Sequence, residues 1–265
     1  MNAEMSRLQK IRCALRLRTR AREVYRRVMR RLGFLGQDWD QGLPEELQAW
    51  EFMLSNQGRN WVESEYRYRL DPGSELQDEY KKLIEAPAGG PPLRLLDVGA
   101  GPLTSFGKRW TGRTLEIFPV DPLADEYNAL LARLGLRAPA PSRPGHGEKL
   151  SGQFEENFFD LALASNSLDH CYDPLLVIRH MLTLVKPGGH VFLGHFANEG
   201  VQAGYTGLHQ WDFSIQQGDM LLSDGRGQRH SLRAVFGEVA VLECELQQWV
   251  GRPAVIGRLK KLRAP

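Results

Sequence analysis

The sequence predicts an α/β fold, an open and largely parallel sheet with helices on both faces, preceded by an N-terminal helical extension. Three observations carry this prediction. Apolar strand-like runs alternate with helical repeats from residue 93 to residue 193. A glycine-rich turn, Gly99-Ala100-Gly101, closes the first of those runs. Helix-start pairs of aspartate and proline, Asp121-Pro122 and Asp173-Pro174, then follow later runs at the points where a strand must hand over to a helix.

The elements follow in order. Leu93, Leu95, Leu96 and Val98 suit a buried strand, and Leu115 to Val120 make a second that ends in Asp121. Asp121 reads as N-cap and Pro122 as first residue of a helix whose apolar stripe is Leu123, Tyr127, Leu130, Leu131 and Leu134. Residues 136–147 are rich in proline and arginine and read poorly as a third strand. Phe158 to Ala164 form the fourth. After Asp173-Pro174 comes a helix with Leu176, Val177, His180, Met181 and Leu184 on one stripe. Lys186-Pro187-Gly188-Gly189 ends it, and Val191 to Leu193 make the fifth strand. Two further strands are predicted over 239–246 and 254–259.

The turn after the first strand also indicates a ligand. Glycines there let a backbone approach a nucleotide-like molecule closely. The dinucleotide fingerprint G-x-G-x-x-G is incomplete, because Thr104 stands at its third glycine. The carboxylate of Asp97 precedes the glycines, so a pyrophosphate would meet a negative charge and a cationic ligand would be welcomed. This strand-acid-glycine run, LLDVGAG from Leu95 to Gly101, resembles motif I of the class I S-adenosylmethionine-dependent methyltransferases. The K-P-G-G turn and the order of the later strands are similar to that family, and the likeness spans residues 93–262. It implies a seven-stranded Rossmann-like sheet, closed by an antiparallel pair. Leu103 stands where the family often has a third glycine.

The resemblance implies S-adenosylmethionine as cofactor, with Asp97, Gly99, Ala100 and Gly101 at its amino-acid end. Asp121 would accept two hydrogen bonds from a ribose diol, beside Pro122 and Leu123. His146 or Gly147 falls where the family reads the adenine. Ser165 and Asn166 stand at the end of the fourth strand, where the active site opens. A hydroxyl acceptor benefits from a base, and His170, His195 and His209 fall on the active edge, with His170 the leading candidate. His170, Asp173, His195 and His209 show no compact metal-ligand motif, so no metal is expected.

Composition bounds the rest. The 265 residues allow a methyltransferase domain, 91–265, after a helical region, 1–90, made of an arginine-rich helix over 1–33 and a helical cap over 43–85. Residues 1–31 hold eleven Lys or Arg and two Glu, so a net charge of +2 conceals a local +9. That segment suits packing on the domain or on another subunit in a homo-oligomer, an anionic partner, or organellar targeting. The aromatics of the cap suit core packing over a ring-stacking surface, and the loop 204–213 suits a cover for the substrate. Cys13, Cys171 and Cys244 lie far apart, which fits a reducing, cytoplasmic compartment and excludes a disulfide framework. No apolar run reaches the roughly 18 residues of a transmembrane helix. After the fourth strand the chain reads Ser165-Asn166-Ser167-Leu168, without the prolines of enzymes that methylate exocyclic base amines, and no Pro-Cys pair is present there. A nucleic acid acceptor is therefore disfavoured. The expected acceptor is a small molecule such as a sugar or secondary metabolite, with oxygen favoured over nitrogen. The alternatives are a methyltransferase-like binding subunit without chemistry and an RNA-associated enzyme recruited through the arginine-rich helix.

Overall fold

The computed structural model describes residues 39–58, 62–85 and 89–262. The arginine-rich segment 1–33, Cys13, Trp61 and the first residues of the linker, 86–88, lie outside them. Helices α1 (Trp39–Gly58), α2 (Glu63–Leu70) and α3 (Asp78–Lys81) come first. Strands β1 (Leu93–Val98) and β2 (Leu115–Asp121) lead to α4 (Ala124–Arg133) and the short β3 (Arg143–Pro144). Then follow β4 (Phe159–Ser165), α5 (Pro174–Leu184), β5 (Val185–Phe196) and α6 (Glu199–Gln202). The chain ends with β6 (Trp211–Gln216), β7 (Asp219–Asp224), β8 (Arg229–Ser231), α7 (Leu232–Phe236), β9 (Ala240–Trp249) and β10 (Arg252–Lys261).

Seven strands form one sheet in the order β3-β2-β1-β4-β5-β10-β9. Its first five strands are parallel, while β10 runs antiparallel to both β5 and β9. This is the Rossmann-like sheet with its closing antiparallel pair. Side-chain alternation builds a core on each face. Leu96, Val98, Ala162, Ala164, Val191 and Leu193 point to the face covered by α5, while Leu95, Leu161, Leu163 and Phe192 meet Leu76, Tyr80 and Phe106 on the other. A third cluster joins Leu54 and Tyr66 of α1 and α2 to Leu130 and Leu131 of α4. Tyr66 and Tyr80 thus pack as core, whereas Phe52 is exposed.

Several local readings need correction. The helix after β2 starts at Ala124, not at Pro122, and Leu123 occupies the N-cap. Asp121 ends the strand, and its side chain is taken by other partners. Within the helical cap predicted over 43–85, the last helix, α3, is a single turn. Lys186 to Gly189 lie within β5 as an irregularity: Phe159 pairs with Val185 but Leu161 with His190, and Gly188 adopts φ +81°. The strands β6, β7 and β8 form a separate three-stranded antiparallel sheet that was not predicted. Trp211, Phe213, Met220 and Leu222 of this sheet join the core beneath β5 and β10. Trp211 to Phe213, read as the end of a loop, are the start of β6.

The second helix start is as predicted. Asp173 is the N-cap of α5, its Oδ1 accepting the Leu176 N–H at 3.0 Å, and Pro174 is the first helical residue. Asp173→Ala is expected to cost about 1 kcal/mol, which lowers the melting temperature by about 2–4 °C. Thermal unfolding of the purified chain checks this, and an unchanged midpoint would show that the cap is dispensable.

Candidate functional site

The strand order reverses between β1 and β4, and a crevice opens at their carboxyl ends, as open α/β sheets dictate. A cavity of about 300 Å³ lies there. One wall is the turn after β1. Gly99 and Gly101 adopt φ of +69° and +62°, a region costly for residues with a Cβ. A Cβ on Gly99 would stand 2.3 Å from the Ser167 Cβ, and one on Gly101 would stand 3.0 Å from the Trp50 ring.

Two buried carboxylates hold this turn. Asp97 Oδ2 accepts the Thr104 hydroxyl at 2.6 Å and the Ser105 N–H at 3.1 Å. Burial pushes its carboxyl above the usual range, against the pull of those two bonds. It lies beneath the loop and does not line the cavity. Asp121 Oδ2 accepts the Gly101 N–H, and its Oδ1 the Leu123 N–H, both at 2.9 Å. Burial pushes the Asp121 carboxyl up to about 6, with those two bonds pulling the other way. Each carboxylate oxygen keeps acceptor capacity for a further donor.

Gly99, Ala100, Gly101, Asp121, Pro122 and Leu123 line one part of the cavity, with His146 and Gly147 near them. Ser165, Asn166, His170 and Cys171 line another part. Asn166 adopts φ +47°, and its Oδ1 accepts the Phe196 N–H at 2.9 Å, which ties the ends of β4 and β5 together. Beyond the residues expected from the sequence, Glu46, Trp50 and Met53 of α1 and Arg69 of α2 also line the cavity. Arg69 Nη1 donates to the Leu103 carbonyl at 3.1 Å, which brings a cation beside the turn.

The three candidate histidines part company. His195 is 1% exposed, stacks on Phe213 at 4.1 Å between ring centroids, and does not line the cavity. Burial pushes it down to about 4. His170 lines the cavity, and His209 stands directly behind it with ring centroids 4.6 Å apart. Both turn toward Asp169, a residue not singled out from the sequence. His209 Nδ1 lies 2.6 Å from Asp169 Oδ2, and His170 Nε2 lies 3.4 Å from the same oxygen. Burial raises the Asp169 carboxyl, but the His170 and His209 charges and the His209 hydrogen bond reverse this and hold it at about 2. Burial lowers His209 and the Asp169 bond more than restores it, so its value is raised. The LDH run at 168–170 and the HQW run at 209–211 are the sequence signals of this cluster. The chain joins them through Gln210 N–H to the Asp169 carbonyl and Trp211 Nε1–H to the Cys171 carbonyl, both 2.9 Å. Cys171 is no ready nucleophile, because burial raises its thiol well above the usual range.

Comparison with known proteins gives the family. Residues 63–235 match the family model described as "Methyltransferase domain". The chain belongs to that family, the class I S-adenosylmethionine-dependent methyltransferases. An uncharacterized methyltransferase of Mycobacterium sp. (strain KMS) is 28% identical over 166 residues, 62% of this chain and 60% of that protein. One from Mycolicibacterium gilvum (strain PYR-GCK) is 29% identical over 144 residues, 53% of this chain and 52% of the relative. The match thus spans about 60% or less of these relatives' length. Among solved structures, the CurJ carbon methyltransferase is similar at 16% identity and TM-score 0.47, over 68% of this chain and 50% of that one. The phosphoethanolamine N-methyltransferase 2 of Haemonchus contortus is similar at 12% identity and TM-score 0.43, over 70% and 52%. No helix among the described residues is long and apolar enough to cross a membrane.

The turn supplies its own test. Gly99→Ala combines positive-φ strain with a clash against Ser167, whose Oγ donates to the Val98 carbonyl at 2.8 Å. It is expected to cost about 2–5 kcal/mol in urea unfolding. A loss below about 1 kcal/mol would show that the turn can shift freely.

Proposed function

We propose that this protein binds S-adenosylmethionine in the cavity and methylates a small molecule, at oxygen in preference to nitrogen. The observation that carries this reading is one continuous cavity wall with two chemically different parts. The glycine turn with Asp121 suits a nucleoside and its amino-acid tail, and His170, backed by Asp169 and His209, suits a hydroxyl. Two glycines without room for a Cβ and a buried carboxylate with spare acceptor capacity fit the cofactor.

When bound, S-adenosylmethionine supplies an electrophilic methyl group that a lone pair of the acceptor takes in line. The chain's own residues do the rest. Asp121 is assigned to the ribose diol and keeps the turn in place through Gly101. Pro122 and Leu123, with His146 and Gly147, flank the base. Arg69 and the turn above Asp97 face the amino-acid tail, and Ser165 and Asn166 border the acceptor. Trp50, Leu43 and Leu208 wall the cavity against water, so positioning and exclusion of solvent supply most of the acceleration. Loss of the hydroxyl proton falls to the His170 end. A walled cavity of this size favours a small acceptor such as a sugar or secondary metabolite over a polymer.

Asp121→Ala is expected to weaken cofactor binding by about 1.5–3 kcal/mol per lost charge-assisted bond, partly offset by water. Wild-type affinity should also fall as the pH drops through about 6, since the protonated carboxyl loses acceptor capacity. The Glu46 charge also pushes that carboxyl up and the His170 charge pulls it down. Calorimetry across this range checks it, and a flat profile would remove Asp121 as the ribose acceptor.

His170→Ala should lower turnover about 10²–10⁴-fold with cofactor affinity nearly preserved. Single-turnover kinetics on a panel of hydroxyl and amine acceptors tests the reading as a whole. Methyl transfer confined to amines would replace the oxygen assignment. Binding of S-adenosylmethionine with no transfer to any acceptor, free or polymeric, would favour a binding subunit.

A further inference from the structure

We propose that Asp169, His170 and His209 bind a divalent transition-metal ion at the acceptor end of the cavity. One ligand atom from each, Asp169 Oδ2, His170 Nε2 and His209 Nδ1, lie within 4.8 Å of one another. The separations are 2.6 Å from oxygen to Nδ1, 3.4 Å from oxygen to Nε2, and 3.2 Å between the two nitrogens. Ligands about 2.1 Å from one ion, in tetrahedral or octahedral directions, stand about 3.0–3.4 Å apart. Two of the three separations already fit. The third opens by about 0.4 Å once the ion replaces the hydrogen on Nδ1.

Protons can satisfy the contacts to Asp169, with both imidazoles donating to Oδ2, but they then leave Nδ1 and Nε2 facing each other at 3.2 Å as two donors. An ion satisfies all three atoms at once. A second, independent observation comes from β5. Both ring nitrogens of His195 are buried with no hydrogen-bond partner among the described residues, although Asp169 and His170 act on this ring electrostatically. An imidazole buried without a partner is costly, and an ion or its bound water is the kind of partner this one lacks.

Two imidazoles and one carboxylate suit Zn²⁺, Mn²⁺, Fe²⁺, Co²⁺ or Ni²⁺ and disfavour Mg²⁺ and Ca²⁺, which prefer oxygen. Asp169, not Asp173, supplies the carboxylate, because Asp173 is occupied as the α5 cap. Three protein ligands leave coordination positions open, and His170 sets them against the cavity. The acceptor class that fits is a hydroxyl with a second oxygen on the neighbouring carbon. Coordination makes that hydroxyl more acidic, and its proton leaves to water. The oxygen lone pair then forms the bond to carbon, and the electrons of the broken sulfur–methyl bond remain on sulfur. This substrate assignment rests on the methyltransferase reading, whereas the metal site does not.

The test uses the untagged full chain, first analysed for bound metal, then stripped with a chelator and titrated with Zn²⁺ by calorimetry and with Co²⁺ by visible absorption. One ion per chain is expected, together with ligand-field bands from the Co²⁺ form. His209→Gln and Asp169→Asn should each weaken binding by more than the roughly 10–100-fold lost when only a hydrogen bond behind a ligand is removed. Circular dichroism of both variants establishes that they fold, and His209→Ala serves if one does not. Sub-stoichiometric uptake of both ions by the wild type overturns the site, as does uptake that the substitutions leave unchanged. S-adenosylmethionine binding to the stripped chain, measured in parallel, keeps the two readings apart. Its failure with metal binding intact would remove the methyltransferase reading and leave the metal site.

Discussion

The turn between β1 and the following segment is held by acceptors from two adjacent strands, and the site depends on that arrangement. Asp97 at the end of β1 takes Thr104 and Ser105, and Asp121 at the end of β2 takes Gly101 and Leu123. The Val120 carbonyl accepts the N–H groups of Gly99 and Ala100 at 2.8 and 3.2 Å. A chain forced to positive φ at two glycines would otherwise lose backbone hydrogen bonds, which is expensive when buried. Removing carboxylates from water costs free energy too, and the raised values of both aspartates record that cost. The bonds to N–H and O–H groups offset it. Only with the turn fixed does Gly101 meet Trp50 of α1, so the wall contributed by the cap follows from the same constraint.

The His170 end of the cavity is built differently. His170 comes from the 3₁₀ turn 168–170 after β4, and the family's basic sheet is enough to place it. His209 arrives from far along the chain, just before β6, and its position depends on the second sheet. That sheet is anchored by Phe213, Met220 and Leu222 beneath β5 and β10, where Gly257 leaves space for the Met220 side chain. Asp212 fastens the other side by accepting the Val201 N–H at 3.0 Å and the Tyr205 hydroxyl. The stretch 204–213 therefore does more than close over the cavity, because it brings His209 against Asp169 behind His170.

What the sequence made legible, and what it did not, follows from which physical signal is local. Buried parallel strands declare themselves as apolar runs, so β1, β2, β4 and the pair β9 and β10 were read nearly to their ends. Asp173-Pro174 is a local signal and was read correctly. Asp121-Pro122 carries the same letters, but Asp121 is claimed by the Gly101 N–H, a tertiary partner invisible to local pattern. Strand β6 alternates strictly, Trp211, Phe213 and Ile215 against Asp212, Ser214 and Gln216, so its signal is legible, whereas adjacent Leu221 and Leu222 blur the period in β7 and β8 has only three residues. His195 had a readable warning. It shares the parity of Val191 and Leu193 on β5, so it faces the same buried side as they do. Asp169 could not be weighed without knowing that residue 209 folds back onto it.

The charges of the lining bear on how such a site turns over. Asp121, Glu46 and Glu148 stand against Arg69 on its wall, so the cavity's balance is acidic. Water is partly excluded by Trp50 and Leu208, which strengthens the field of those carboxylates. A ligand carrying a positive charge near them gains more than its neutral counterpart. On the proposed reading, methyl transfer from a sulfonium leaves a neutral thioether, which gains less from the same lining than the charged cofactor does. The discrimination requires Asp121 to be ionised, and its value near 6 makes that state complete only in neutral or alkaline solution. On the proposed reading, the carboxylate that keeps the glycine turn in place is also one of the charges that act on the bound cofactor.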